Sequence, residues 1–211
     1  MWSSVAGTED ESIQAESEYG EECARAFAAQ FPGKILPADQ ELVANIGSRL
    51  AEAVNDPRRK FRFTVVTTPQ ANAYALPGGF VFITGTLLEL CARDSDEVAF
   101  FLSHEIGHIL RGHARDCLMA NTFLNAVMSR LPAAGQMLRQ VLSKGYSQMH
   151  ELEADLAAVR LSAVAGFNAR ASLAALKRLE QVAPDYQGFA EYLSSHPPIS
   201  ERIREMEKSI G

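Results

Sequence analysis

Five residues constrain this chain more than any others: His104-Glu105-Ile106-Gly107-His108. They lie in a stretch from Asp94 to His113 that is apolar on most faces and reads as one helix. Asp94 is placed to cap it, and Glu97, three residues on, to complete a capping pair. A helix of that composition belongs in a core. Positions i and i+4 share a helix face, so the two imidazoles aim at one point. Two neutral imidazoles suit Zn²⁺, and Glu105, one residue further round, can reach a water held there as a general base. The alternative is a core helix that happens to carry two histidines. That reading desolvates two imidazoles and a carboxylate without partners, whereas one metal ion answers all three. The spacing therefore predicts His104 and His108 as zinc ligands and Glu105 as the base of a hydrolytic site, with a third ligand still to be found.

At 211 residues, 47% hydrophobic and 22% charged, the chain has the size and composition of one domain, or of a domain with a helical extension. Its net charge of −6 is unevenly placed: residues 1–24 carry seven acids and no Lys or Arg, which leaves the remainder at +1. A basic stripe is absent, so nucleic acid is not expected as a partner. The acidic start reads as a solvated helix face rather than a partner-binding arm. No run approaches the ~18–20 apolar residues that span a bilayer. Met1 to Glu9 shows neither the basic nor the apolar segment of a signal peptide. Cys23, Cys91 and Cys117 are too few and too scattered for a disulfide framework or a cysteine zinc site, and read as core or half-buried thiols.

Periodicity predicts helices over residues 8–31 and 38–54, the first ended by Pro32-Gly33 and the second by Asn55-Asp56-Pro57. Two β segments follow, Phe61 to Thr68 and Gly79 to Thr84, rich in aromatic and β-branched residues. Between them, Asn72 to Leu76 can be extended, and Pro77-Gly78-Gly79 makes a turn. Thr86, with Glu89 three residues later, is placed to start a short helix over 87–92. Residues 114–145 are helical in propensity but interrupted at Leu131-Pro132 and weakened by Gly135. Further helices are expected over 147–165, 168–182 and 185–193. The tail from Ile199 is amphipathic, with Ile203, Met206 and Ile210 on one face. The architecture expected is α+β, mostly helical with one small β-sheet.

Three candidates compete for the third ligand. His113, nine residues after His104, falls about 180° round a continuous helix and faces away, as a helix C-terminal residue favoured by the dipole. His150 immediately precedes a stronger candidate, Glu151-Leu152-Glu153-Ala154-Asp155. Glu151 and Asp155 are i and i+4. Glu151 can ligate zinc while Asp155 accepts a hydrogen bond from the distal N–H of a ligating histidine and fixes its tautomer. Glu153 points elsewhere and reads as solvated. Leu152, Leu156, Val159 and Ala163 form an apolar stripe that puts these carboxylates near the interior.

The chain resembles the gluzincin zinc metallopeptidases that include the HtpX heat-shock protease, the mitochondrial OMA proteases and the CAAX prenyl endopeptidases. Four motifs carry the resemblance in order: Asn72-Ala73-Tyr74-Ala75-Leu76-Pro77-Gly78-Gly79, the His104 to His108 pentad, Glu151-x-x-Ala154-Asp155, and His196-Pro197 with Arg202 six residues after the histidine. The chain departs from HtpX and the prenyl endopeptidases in lacking transmembrane helices. The resemblance implies a zincin-like metalloprotease domain over 36–211, preceded by a helical extension over 1–35 packed on it. It assigns one zinc ion to His104, His108 and Glu151, and general-base catalysis to Glu105. His196 then returns to the cleft as a catalytic group, either donating to an oxyanion or, as a neutral ligand, closing the metal's open position. The substrate, a polypeptide, would lie extended near Asn72, Ala73 and Tyr74, with Arg202 also on the substrate side. For Asn72 the capping of a turn is an equal alternative. The rival functional classes are a latent or structural zinc-binding module and a zinc-free helical interaction protein. Soluble relatives suggest a bacterial envelope compartment if a targeting segment has been removed, and the cytoplasm otherwise.

Overall fold

A computed structural model describes residues 9–120, 138, 142, 145–182, 196 and 198–210. Helix α1 (Glu9–Ala28) opens on Glu9, Asp10 and Glu11, whose charges suit a helix N-terminus, and buries Gly20, Cys23, Ala24 and Phe27. Helix α2 (Pro37–Val54) starts on proline and stops at Asn55, which takes the left-handed conformation at φ 54°.

The sheet has three strands, β1 (Arg62–Val66), β2 (Ala73–Leu76) and β3 (Phe80–Thr84). Their order is β1-β3-β2, with β1 parallel and β2 antiparallel to the central β3. The extended half of the Asn72 motif is thus a strand in its own right, on the edge of the sheet. The turn Pro77–Gly79 joins it to β3, with Gly78 and Gly79 at φ 75° and 90°. Side chains alternate between two cores. Ala73, Ala75, Val81 and Ile83 face the larger one, built from α2 and the later helices. Tyr74, Leu76, Phe80 and Phe82 face α1. There Phe27 meets the Tyr74 and Phe82 rings edge-on, each at 4.9 Å between centroids.

Helix α3 (Gly85–Leu90) begins earlier than expected, because Thr84 and not Thr86 caps it by accepting from the Leu87 N–H. The Thr86 hydroxyl donates instead to the Thr68 carbonyl, 2.7 Å away. Helix α4 (Ser95–Leu110) carries the pentad. Asp94 caps it, accepting from the Asp96 and Glu97 N–H groups. The capping pair is only half formed, since Glu97 turns away to accept from Arg178 at 2.8 Å. Helix α4 also ends sooner than expected: Gly112 at φ 75° breaks it, and α5 (His113–Ala120) starts on a new axis.

Three more helices complete the described chain: α6 (Gln148–Val164), α7 (Ala171–Val182) and α8 (Ile199–Ile210). Ser147 caps α6 through the His150 N–H. Ile199, Ile203 and Met206 of α8 are buried as the amphipathic pattern requires. The helix expected over 185–193, and most of that over 114–145, lie outside the described residues. Among the described residues no helix is long and apolar enough to cross a membrane. The domain is mostly helical with one small sheet, as the sequence leads one to expect.

Candidate metal centre and cleft

The pentad lies in the most deeply buried part of α4, where Val98 to Ile109 are all buried. His104 and His108, one turn apart, bring their Nε2 atoms within 3.1 Å of each other. The third member comes from α6. Glu151 Oε2 is 3.4 Å from His104 Nε2, and Glu151 Oε1 is 3.3 Å from His108 Nε2. These separations match the edge of a tetrahedron with arms of about 2.0–2.1 Å, the bond lengths of zinc to imidazole and carboxylate. Both Glu151 oxygens are buried and make no hydrogen bond among the described residues. Two carboxylate oxygens left in that condition are costly unless a cation sits beside them. The donor set therefore fits a zinc ion.

How α6 comes this close is a matter of small residues. Its buried face is Glu151, Ala154, Asp155, Ala158 and Ser162. The expected stripe of Leu152, Leu156, Val159 and Ala163 is not that face: the first three are only half-buried and Ala163 is exposed. Gly107 of α4 packs on Ala154, where an added Cβ would meet the Ala154 backbone at 3.3 Å. Ser103 and Ser162 close the same seam with a hydroxyl pair at 3.0 Å. Leucines at these positions would hold the helices apart and the carboxylate out of reach.

Asp155 lies one turn after Glu151 and bonds His104 Nδ1 at 2.9 Å. Arg202, from α8, grips Asp155 with Nη2 at 2.6 Å and Nε at 2.8 Å. Burial works against the charge on Asp155, but the guanidinium holds its carboxyl well below the ordinary range. Arg202 is itself fully buried behind His104. The expectation that it binds substrate is therefore corrected: its charge is spent on Asp155.

Glu105, next round the helix, keeps its carboxylate within 4.8 Å of a His104 ring nitrogen and lies beside Ala75 of the edge strand. Burial pushes its carboxyl up to about 7. It walls a narrow cleft with Asn72, Ala73, Tyr74, Ala75, Leu142, Gly145, Tyr146 and His196. Asn72 is buried, and its Oδ1 accepts from the Ala73 N–H at 2.9 Å, the local capping alternative. His196 returns to the site: its Nε2 is 3.7 Å from Glu151 Oε2, and its ring lies 5.5 Å from that of His104. With His104 and Glu105 it forms a second group of possible metal donors.

Residues 37–210, which contain every donor and the cleft wall, match the model of peptidase family M48. The chain belongs to peptidase family M48. Among similar proteins, the mitochondrial metalloendopeptidase OMA1 of Schizosaccharomyces pombe is 23% identical over 210 residues, covering 94% of this chain and 62% of that protein. The same enzyme of Saccharomyces cerevisiae is 30% identical, with 83% and 58% covered. A putative beta-barrel assembly-enhancing protease of Vibrio cholerae is 28% identical, with 89% and 41% covered. The chain thus spans about three fifths or less of the length of these relatives.

Two residues of this M48 chain stand where the sequence did not put them. His113 does not face away: with α4 broken at Gly112, it folds back so that its Nδ1 lies 3.1 Å from His108 Nδ1. Glu153 is not simply solvated, since its Oε2 lies 3.4 Å from His113 Nε2. Tyr146, which no sequence signal singled out, stacks on His108 at 3.9 Å between centroids. The available signal was Gly112 itself, the ordinary residue for ending a helix.

Proposed function

We propose that this chain is a zinc-dependent endopeptidase that hydrolyses peptide bonds in extended or unfolded protein segments. One observation carries the reading. Glu151 presents two buried oxygens without hydrogen bonds to two imidazole nitrogens, while a second buried carboxylate, Glu105, stands apart on the cleft wall. A structural zinc site has no use for that second carboxylate, and is closed by a permanent fourth protein ligand.

His104, His108 and Glu151 would hold the ion. Bound there, zinc supplies a Lewis acid for the scissile carbonyl and lowers the pKa of a water towards ~7. Glu105 takes the proton of the attacking water and passes it to the leaving nitrogen. His196 donates to the oxyanion of the tetrahedral intermediate, a role supported by its place beside Glu105 in the cleft. β2 is an edge strand, so an extended peptide can add to the sheet through its own main chain. Recognition of that kind favours conformation over side-chain identity.

Metal analysis of the purified chain, with mass spectrometry of peptides released from a denatured protein pool with and without chelator, tests the reading. Near-stoichiometric zinc and chelator-sensitive cleavage within chains are expected. His104→Ala, His108→Ala and Glu151→Ala should each lose zinc. Release of no peptides by a zinc-loaded chain would leave a non-catalytic zinc module, and absence of zinc would leave neither.

A further inference from the structure

We propose that His113 and Glu153 are positioning residues for His108, holding this ligand as Asp155 and Arg202 hold His104. The inference rests on the zinc reading above. The left-handed turn at Gly112 brings His113, the first residue of α5, into the interior, where it is 6% exposed. Its Nδ1 meets His108 Nδ1 at 3.1 Å, on the opposite side of the His108 ring from the nitrogen in the donor set. On its own far side, His113 Nε2 lies 3.4 Å from Glu153 Oε2, with Arg111 Nη1 3.9 Å from the same oxygen.

Only one layout of protons satisfies this chain when His108 Nε2 is a ligand. His108 is then protonated on Nδ1 and donates to His113 Nδ1. His113, having accepted, carries its proton on Nε2 and turns it to Glu153. Both rings are also clamped in plane. His113 stacks on His150 at 4.0 Å and 15°, and His108 on Tyr146 at 3.9 Å and 20°. Asp155 and Glu153 therefore extend support from one helix, α6, to the two histidines of α4. The arms differ in strength. Asp155 is buried and paired to a buried guanidinium, whereas the Glu153 side chain is 39% exposed and acts through a neutral ring.

The test is zinc affinity of the full chain, stripped of metal and titrated against a chromophoric chelator, together with the visible spectrum of the cobalt(II)-loaded chain. His113→Ala should bind zinc about 10–100-fold more weakly, and its cobalt bands should shift as the His108 ring is freed. Glu153→Ala should move both readings the same way by less. Glu153→Gln, which keeps an acceptor for His113, should recover most of that loss. A merely structural role for His113 would lower the melting temperature and leave the cobalt bands where they are. His113→Ala with zinc affinity within about twofold of wild type and unshifted bands would overturn the proposal. If His113→Ala does not fold, the Glu153→Ala and Glu153→Gln pair decides, and equal affinity in both overturns it. A wild-type chain that binds no zinc would instead sink the metal reading, and this inference with it.

Discussion

Glu105 and Glu151 are two buried carboxylates in one site, and their surroundings push them in opposite directions. Burial dominates at Glu105 and pushes its carboxyl up to about 7. Burial also works against charge on Glu151, but the imidazoles of His196, His104 and His108 hold it well below the ordinary range. Environments that separate like groups in this way fit the two roles proposed above, a group that moves protons and a fixed anion. Glu105→Gln should accordingly keep zinc, measured by metal analysis, and lose hydrolysis by a factor of about 10² or more. Near-normal turnover in that variant would remove Glu105 from the mechanism. His196 carries a sharper choice. As an oxyanion donor, its replacement by alanine should lower kcat by about 10²-fold or more. A rise in activity would mean that it closes the metal's open position instead, and an unchanged rate would make it a loop residue.

The seam between α4 and α6 decides whether those residues can meet. Gly107→Ala would press a methyl group onto the Ala154 backbone and the Ala157 Cβ, each at 3.3 Å. Neither a helix backbone nor a Cβ fixed to it yields easily, so the helices should separate by a few tenths of an ångström. Destabilisation of about 1–3 kcal/mol is expected in urea unfolding, with weaker zinc binding in the same variant. Unaltered zinc affinity would show that the seam does not set the ligand distances. The pentad and the Glu151/Asp155 pair were legible in the sequence because i and i+4 spacing is local and α-helices keep it. The buried face of α6 was not, because the leucine stripe is the stronger periodic signal while close approach selects small residues. His113 was misplaced for a related reason. Counting 100° per residue through Gly112 assumes a helix that the glycine ends. The edge strand at 73–76 was half legible, as four residues fall short of a clear alternation.

At the scale of the molecule, the site is finished from far along the chain, by Arg202 of α8. Arg202→Met keeps much of the volume but leaves the buried Asp155 charge without its guanidinium and with only the His104 bond, which should cost about 3–5 kcal/mol in urea unfolding. Adding Asp155→Asn should recover part of it. The sign with pH follows from the depressed Asp155 carboxyl: its contribution is present above the ordinary carboxylate pKa and is lost as pH falls. The stability gap between wild type and Arg202→Met should therefore narrow below pH of about 4. Equal stability of the two at neutral pH would contradict this account. The order of synthesis gives the same contact another meaning. The ribosome releases the pentad well before α8, and at about 5–20 residues per second the interval is on the order of ten seconds. Throughout it the nascent polypeptide carries His104, and later Asp155, without the guanidinium that pairs with that carboxylate. The His104 arm of the site is therefore completed by one of the last helices to be made.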